Sequence, residues 1–146
     1  MINWSYIAGF LDGEGSLTIT KHKRSSSKTR LVSRIDFYNS NERVIEEIQK
    51  FLEKYNINYK IYKRQLNNKW KYIISLKILR LDDQLRFLKH IKNKLIIKTE
   101  QYKVLLDFLK IRINKIKKKE YNFSEEEFEL QEKIHNLNGR GFGYAN

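Results

Sequence analysis

Ile7-Ala8-Gly9-Phe10-Leu11-Asp12-Gly13-Glu14-Gly15 combines an apolar helix pattern with bare positions and ends on a carboxylate. Trp4, Ile7, Phe10 and Leu11 recur at helical spacing, while Ala8, Gly9 and Gly13 leave part of the surface nearly without side chains. Gly9 and Gly13 share one side of a helix, so an identical helix could approach there more closely than larger side chains permit. A glycine costs about 1 kcal/mol against alanine inside a helix, so two in one short helix need a reason, and close packing supplies it. Gly13 and Gly15 flank Glu14, where the chain can turn and expose a carboxylate together with free backbone carbonyls. Glu14 and the Gly13 carbonyl are hard oxygen donors that suit Mg²⁺, an ion that keeps several waters and takes one or two carboxylates. The negative helix end adds to a cation's attraction.

Beyond this helix the period changes. Ser16 to Thr20 alternates, with Leu17 and Ile19 on one face and Ser16, Thr18 and Thr20 on the other, the pattern of a half-buried strand. Lys21 to Lys28 reads as a basic, serine-rich hairpin loop. The next strand, over about 30–38, turns Leu31, Ser33, Ile35 and Phe37 to a core and Arg30, Val32, Arg34 and Asp36 outward. Ser40 or Asn41 is placed to cap a helix to about Tyr55, with Val44, Ile45, Ile48, Leu52 and Tyr55 on one stripe. A second hairpin is expected over about 58–66 and 70–78, turning at Asn67-Asn68-Lys69. Asp82 should cap a helix burying Leu85, Leu88 and Ile91, and Thr99 a longer one with Leu105, Phe108, Leu109, Ile113 and Ile116 on one side. After Lys117-Lys118-Lys119, Ser124-Glu125-Glu126-Glu127 matches a capping box opening an acidic amphipathic helix through Phe128, Ile134 and Leu137. Residues 138–146 form a glycine-rich tail expected to be loose. The order predicts one α+β domain over 1–146: a four-stranded antiparallel sheet with helices on one face, and residues 124–146 as a C-terminal helix and tail.

Thirty Lys and Arg against 17 Asp and Glu leave a net charge of +13 on 146 residues, a basic excess that favours polyanions, nucleic acid ahead of anionic membrane. No run of 18 apolar residues and no signal-peptide pattern occur, so the chain reads as an intracellular protein without a membrane partner. Absence of cysteine excludes disulfides and cysteine-based zinc sites, and His22, His90 and His135 make no ligand cluster. The lack of proline and the abundance of Lys, Ile and Asn are what AT-rich codons produce, as in mitochondrial, chloroplast or some prokaryotic genes. The outward strand residues make a polar, basic face suited to the major groove. From the first hairpin these are Thr18, Thr20, His22, Arg24, Arg30, Arg34 and Asp36, and from the second Lys60, Tyr62, Arg64, Lys69 and Lys71. A one-residue slip of the second hairpin would exchange its set for Tyr59, Ile61, Lys63 and Gln65.

The stretch IAGFLDGEG resembles the signature of the LAGLIDADG homing endonucleases, matching nearly every position with conservative changes. The resemblance extends in pattern from about residue 4 to 106, with its specific residues concentrated in the first helix. It implies an αββαββα core whose sheet binds double-stranded DNA, and metal-dependent breakage of both strands in a long pseudo-palindromic target, as by intron-encoded members. No second copy of the motif occurs downstream, which for this family implies a homodimer paired through Ala8, Gly9, Asp12 and Gly13. Two copies of Glu14 would then meet on the DNA side. The family more often carries Asp at this place, so the metal position differs by a methylene. The resemblance also implies a ring of polar catalytic residues around the metal: Lys98, following the apolar Leu95-Ile96-Ile97; Asn39, where the family often has Gln; and Arg43 for the ring's arginine.

Two other readings stand beside cleavage. The same basic sheet could hold nucleic acid without cutting it, as intron RNA maturases of this fold do, or the chain could be a structural RNA-binding protein. A carboxylate at position 14 favours cutting, because a binder has no need of it. Other nuclease types fit worse: no Asp-x-Lys or Glu-x-Lys occurs, and three isolated histidines make no His-Asn-His motif.

Overall fold

Helix α1 runs from Trp4 to Glu14 in the computed structural model, which describes residues 2–23, 28–65 and 72–140. Asn3 caps it, its Oδ1 accepting from the Tyr6 amide at 2.8 Å. Gly15, in extended backbone, ends the helix by donating its N–H to the Leu11 carbonyl, and the chain passes directly into β1 (Gly15–Lys23). The remaining elements are β2 (Thr29–Asn39), α2 (Glu42–Lys54), β3 (Lys60–Gln65), β4 (Tyr72–Ile78), α3 (Leu81–His90), α4 (Thr99–Lys117) and α5 (Glu125–Arg140). The expected αββαββα order is therefore present, followed by two further helices. The four strands form one sheet in the order β1-β2-β4-β3.

The chain divides into two compact units, residues 1–16 with 35–97, and residues 17–34 with 98–146. In the first, β2 and β3 both pair antiparallel with β4, aligning Phe37 with Leu76 and Ile61 with Leu76. Directly opposed residues share a face, so Ile35, Phe37, Ile74, Leu76 and Ile78 form one buried surface. The helices contribute Ile7, Leu11, Ile48, Leu52, Phe87 and Leu88, all fully covered. Trp4 packs edge-on against Phe51 and Phe87, with centroids at 4.9 and 5.6 Å, and lies flat on His90 at 4.3 Å.

The second unit buries Leu17, Ile19 and Leu31 from its strands, Val104, Leu105, Phe108 and Leu109 from α4, and Ile134 from α5. The capping box of α5 is formed: the Glu127 amide donates to Ser124 Oγ at 3.3 Å and the Ser124 amide donates to Glu127 Oε1 at 2.9 Å. Gln131 and Asn138 of the same helix donate to the Ile19 and Leu17 carbonyls at 3.1 and 3.0 Å. Strand β1 lies at the edge of the sheet, and these amides meet backbone groups that have no neighbouring strand on that side.

Of the two caps expected for α2, Asn41 serves, accepting from the Val44 amide at 3.1 Å. Two helix details differ from the sequence pattern. Helix α3 starts after Arg80, with no side-chain cap, and Asp82 is an exposed first-turn residue; the buried positions are Asp83, Gln84, Phe87 and Leu88 rather than Leu85. The neighbouring Asp83 can be fully buried because it accepts from Arg86 and, at 3.2 Å, from Asn58. Helix α4 begins at Thr99 with Lys98 at the N-cap position, its last buried residue is Arg112, and Ile116 is 39% exposed. The turn at Asn67-Asn68-Lys69 and the tail from Gly141 onward lie outside the described residues, while residues 138–140, expected to be loose, continue α5.

Candidate active site

The C-terminal end of α1 delivers Glu14 into solvent. Its Oε1 accepts from Asn39 Nδ2 at 3.1 Å, while Asn39 Oδ1 accepts from the Asn41 amide at 2.8 Å. That second bond fixes which end of the Asn39 amide faces Glu14, so Asn39 restrains the carboxylate from its donor side and leaves Oε2 for a further partner. Asn39, expected in the polar ring around the metal, thus orients the Glu14 carboxylate. Gly13 is exposed in the last turn of α1, beside Glu14, where helix carbonyls lack intrahelical partners. Arg43 stands in the first turn of α2, exposed, with no ion pair among the described residues. Lys98 opens α4 in the second unit; its carbonyl accepts from the Tyr102 amide at 2.9 Å.

Two residues assigned to pairing of the motif helices have other duties. Ala8 has no exposed surface and packs inside its own chain. Asp12 is 9% exposed and accepts from the backbone amides of Ile96 and Ile97, at 2.7 and 3.2 Å, tying α1 to the strap before α4. Gly9 and Gly13 remain open: a Cβ built at either meets nothing within 4 Å.

On the sheet, the register of the second hairpin places Lys60, Tyr62 and Arg64 opposite Lys77, Ser75 and Ile73, away from the buried Ile74, Leu76 and Ile78. All three are exposed, and the slipped alternative is excluded because Ile61 sits opposite Leu76. The same face carries Tyr38, Ser75 and Lys77, which the sequence reading omitted although the alternation in Tyr72–Ile78 marks the last two. Asp36 is the exception on this face. It is 2% exposed, accepts from Tyr38 Oη at 2.9 Å and pairs with Lys77 at 3.4 Å, so it is not offered as an outward contact. In the second unit Arg30 and His22 are exposed, Thr18, Thr20 and Arg34 half-buried, and Thr20 Oγ1 lies 2.9 Å from His22 Nε2. Arg24, Lys69 and Lys71 fall outside the described residues.

Residues 3–92 match the model of the LAGLIDADG-like domain. The chain belongs to the LAGLIDADG family. Its fold is that of the solved LAGLIDADG homing endonucleases. It superposes on the homing endonuclease I-CvuI, in complex with the I-CreI target, with a TM-score of 0.71 at 19% identity over 92% of this chain and 80% of that one. The archaeal intron-encoded I-Vdi141I, complexed with DNA, gives 0.68 at 15% identity over 92% and 82%. The meganuclease I-AabMI, bound to uncleaved DNA, gives 0.63 at 19% identity, this chain spanning 44% of its length. No curated protein sequence matches. Within this LAGLIDADG chain the motif thus does two jobs: Ile7, Ala8, Leu11 and Asp12 hold the protomer together, while Gly9, Gly13 and Glu14 face outward.

Proposed function

We propose that the protein is a site-specific DNA endonuclease, a homodimer that uses Mg²⁺ or a similar divalent cation to break both strands of a long pseudo-palindromic target. The observation that carries this reading is Glu14, an exposed carboxylate oriented by Asn39 at the end of a helix with a bare outer face. The donor set fits such a cation. Among the described residues no three His, Cys, Asp or Glu side chains gather, so one protomer offers one carboxylate and neighbouring backbone oxygens. A hard ion that retains its waters needs one or two carboxylates, and a two-fold axis beside α1 would supply the second. When bound, the cation activates water and stabilises charge on the phosphate.

The chain's own residues position. Asn39 holds Glu14, the α1 terminus strengthens the negative potential, and Lys98 and Arg43 supply cations for the scissile phosphate. The sheet supplies readout through Lys60, Tyr62, Arg64 and Ser75 in the first unit, and Thr18, Thr20, His22, Arg30 and Arg34 in the second. A strand of about eight residues at roughly 3.3 Å each spans about 26 Å, comparable to some eight base pairs, and a dimer would cover about twice that. No described helix is long and apolar enough to cross a membrane. We place the protein inside the cell and its gene in an intron of an AT-rich organellar or prokaryotic genome.

The test is cleavage of duplex DNA carrying the gene's own intron-insertion sequence, with Mg²⁺ or chelator. Wild type should cut only with the metal, and Glu14→Gln should bind the duplex while cutting about a hundredfold more slowly or less. Metal-independent retention of the duplex, or of intron RNA, with no cutting by the wild type would sink the endonuclease reading.

A further inference from the structure

A buried charge on the outward sheet face is not used by the nuclease chemistry. Asp36 points away from the buried Ile35 and Phe37, yet it is 2% exposed. Across the ladder it faces Lys77, whose Nζ lies 3.4 Å from Asp36 Oδ2. The next row of the ladder runs Tyr38–Ser75–Tyr62, and the Lys77 ammonium sits 5.4 and 5.9 Å from the two tyrosine ring centres. The carboxylate and both rings enclose it: the Lys77 side chain is 19% exposed, against 55% for Lys63 one strand away. An ammonium held this way is already neutralised and stacked, so it releases little counterion when a polyanion arrives.

The same contacts set what the patch offers a base. Tyr38 donates its hydroxyl proton to Asp36, and its oxygen, 3.5 Å from Ser16 Oγ, keeps only acceptor capacity toward a ligand. Guanine shows two acceptors in the major groove and needs a donor. Adenine and cytosine show amino donors, and thymine shows a methyl that suits an aromatic edge. We infer that Asp36 withdraws Lys77 from DNA contact, leaving Tyr38, Ser75 and Tyr62 to meet DNA in this row, with Tyr38 disfavouring guanine where its oxygen reaches. The inference rests on the sheet binding duplex DNA, as proposed above.

The experiment is the salt dependence of affinity for a random-sequence duplex, in chelator, for wild type, Lys77→Met, Asp36→Asn and the double variant. Lys77→Met should leave the slope of log affinity against log salt unchanged. Asp36→Asn should free the ammonium and steepen the slope by about 0.9, an extra three- to fourfold loss of affinity between about 50 and 200 mM salt. The double variant should return to the wild-type slope, which separates a freed Lys77 from a loosened sheet. A Lys77→Met slope shallower by about 0.9, an unchanged Asp36→Asn slope, or a double variant that stays steep would each overturn the masking by Asp36. In selection from randomised duplexes, Asp36→Asn should admit guanine at a position per half-site where wild type excludes it; identical base profiles would overturn the readout. A wild type without salt-dependent affinity for duplex would instead overturn the DNA-binding reading itself.

Discussion

Three glycines of one motif are retained for two physical reasons. A Cβ at Gly15 would lie 2.6 Å from Leu11 Cδ1 and 2.7 Å from the backbone oxygen of Asp36. The helix-to-strand passage thus depends on the absence of a side chain at Gly15 rather than on unusual torsions, since its backbone is extended. Because one obstacle is backbone, Gly15→Ala must separate α1 from β2, and we expect a loss of about 1 to 3 kcal/mol in denaturant unfolding. Gly9 and Gly13 are the opposite case. Alanine fits at either within the chain and would improve helix propensity by about 1 kcal/mol. The sequence showed that the glycines matter, but not which one is closed in by its own protomer. That distinction depends on β2, some twenty residues away.

At the level of elements, α5 covers an edge and anchors itself through buried charge. Glu127 is fully buried and pairs with Arg112 at 2.7 Å and Lys115 at 2.8 Å, while the Arg112 guanidinium lies 4.1 Å from the Phe123 ring centre. Burial alone would raise the Glu127 carboxyl, but the bonds from Lys115 and Ser124 and the charge of Arg112 outweigh it and hold it below the ordinary carboxylate range. With the folded value depressed, its stabilisation is fully present above the unfolded value of about 4.3 and is lost as pH falls through the lower folded value. Thermal melts should therefore fall steeply below about pH 4 in wild type and less so in Glu127→Gln. At neutral pH that variant leaves two cations without their partner and should cost about 3 to 5 kcal/mol. The capping box was readable from Ser124 and Glu127 alone. Arg112 and Lys115 were not, because an arginine inside an apolar helix stripe declares its burial only when a carboxylate faces it.

For the whole molecule, net charge decides where a second copy can approach. Each chain carries +13, so two copies repel except where cations are absent, and α1, from Trp4 to Glu14, has no Lys or Arg. Gly9→Leu should sediment as a monomer while keeping its fold, and added salt should strengthen association of the wild type by screening the repulsion. A Gly9→Leu protein that sediments as a normal dimer would place the interface elsewhere.

The sequence by itself determined the motif, the order of elements and the lone carboxylate, because these follow from local periodicity and short-range chemistry, whereas the face of the second hairpin was settled only by its pairing with β4. Only the tertiary structure decided that Asp12 serves Ile96 and Ile97, that Asn39 orients Glu14, and that Asp36 is buried against Lys77. Alternation assigns a residue to a face, but whether that face is open at that point depends on the side chains that distant strands bring across the ladder.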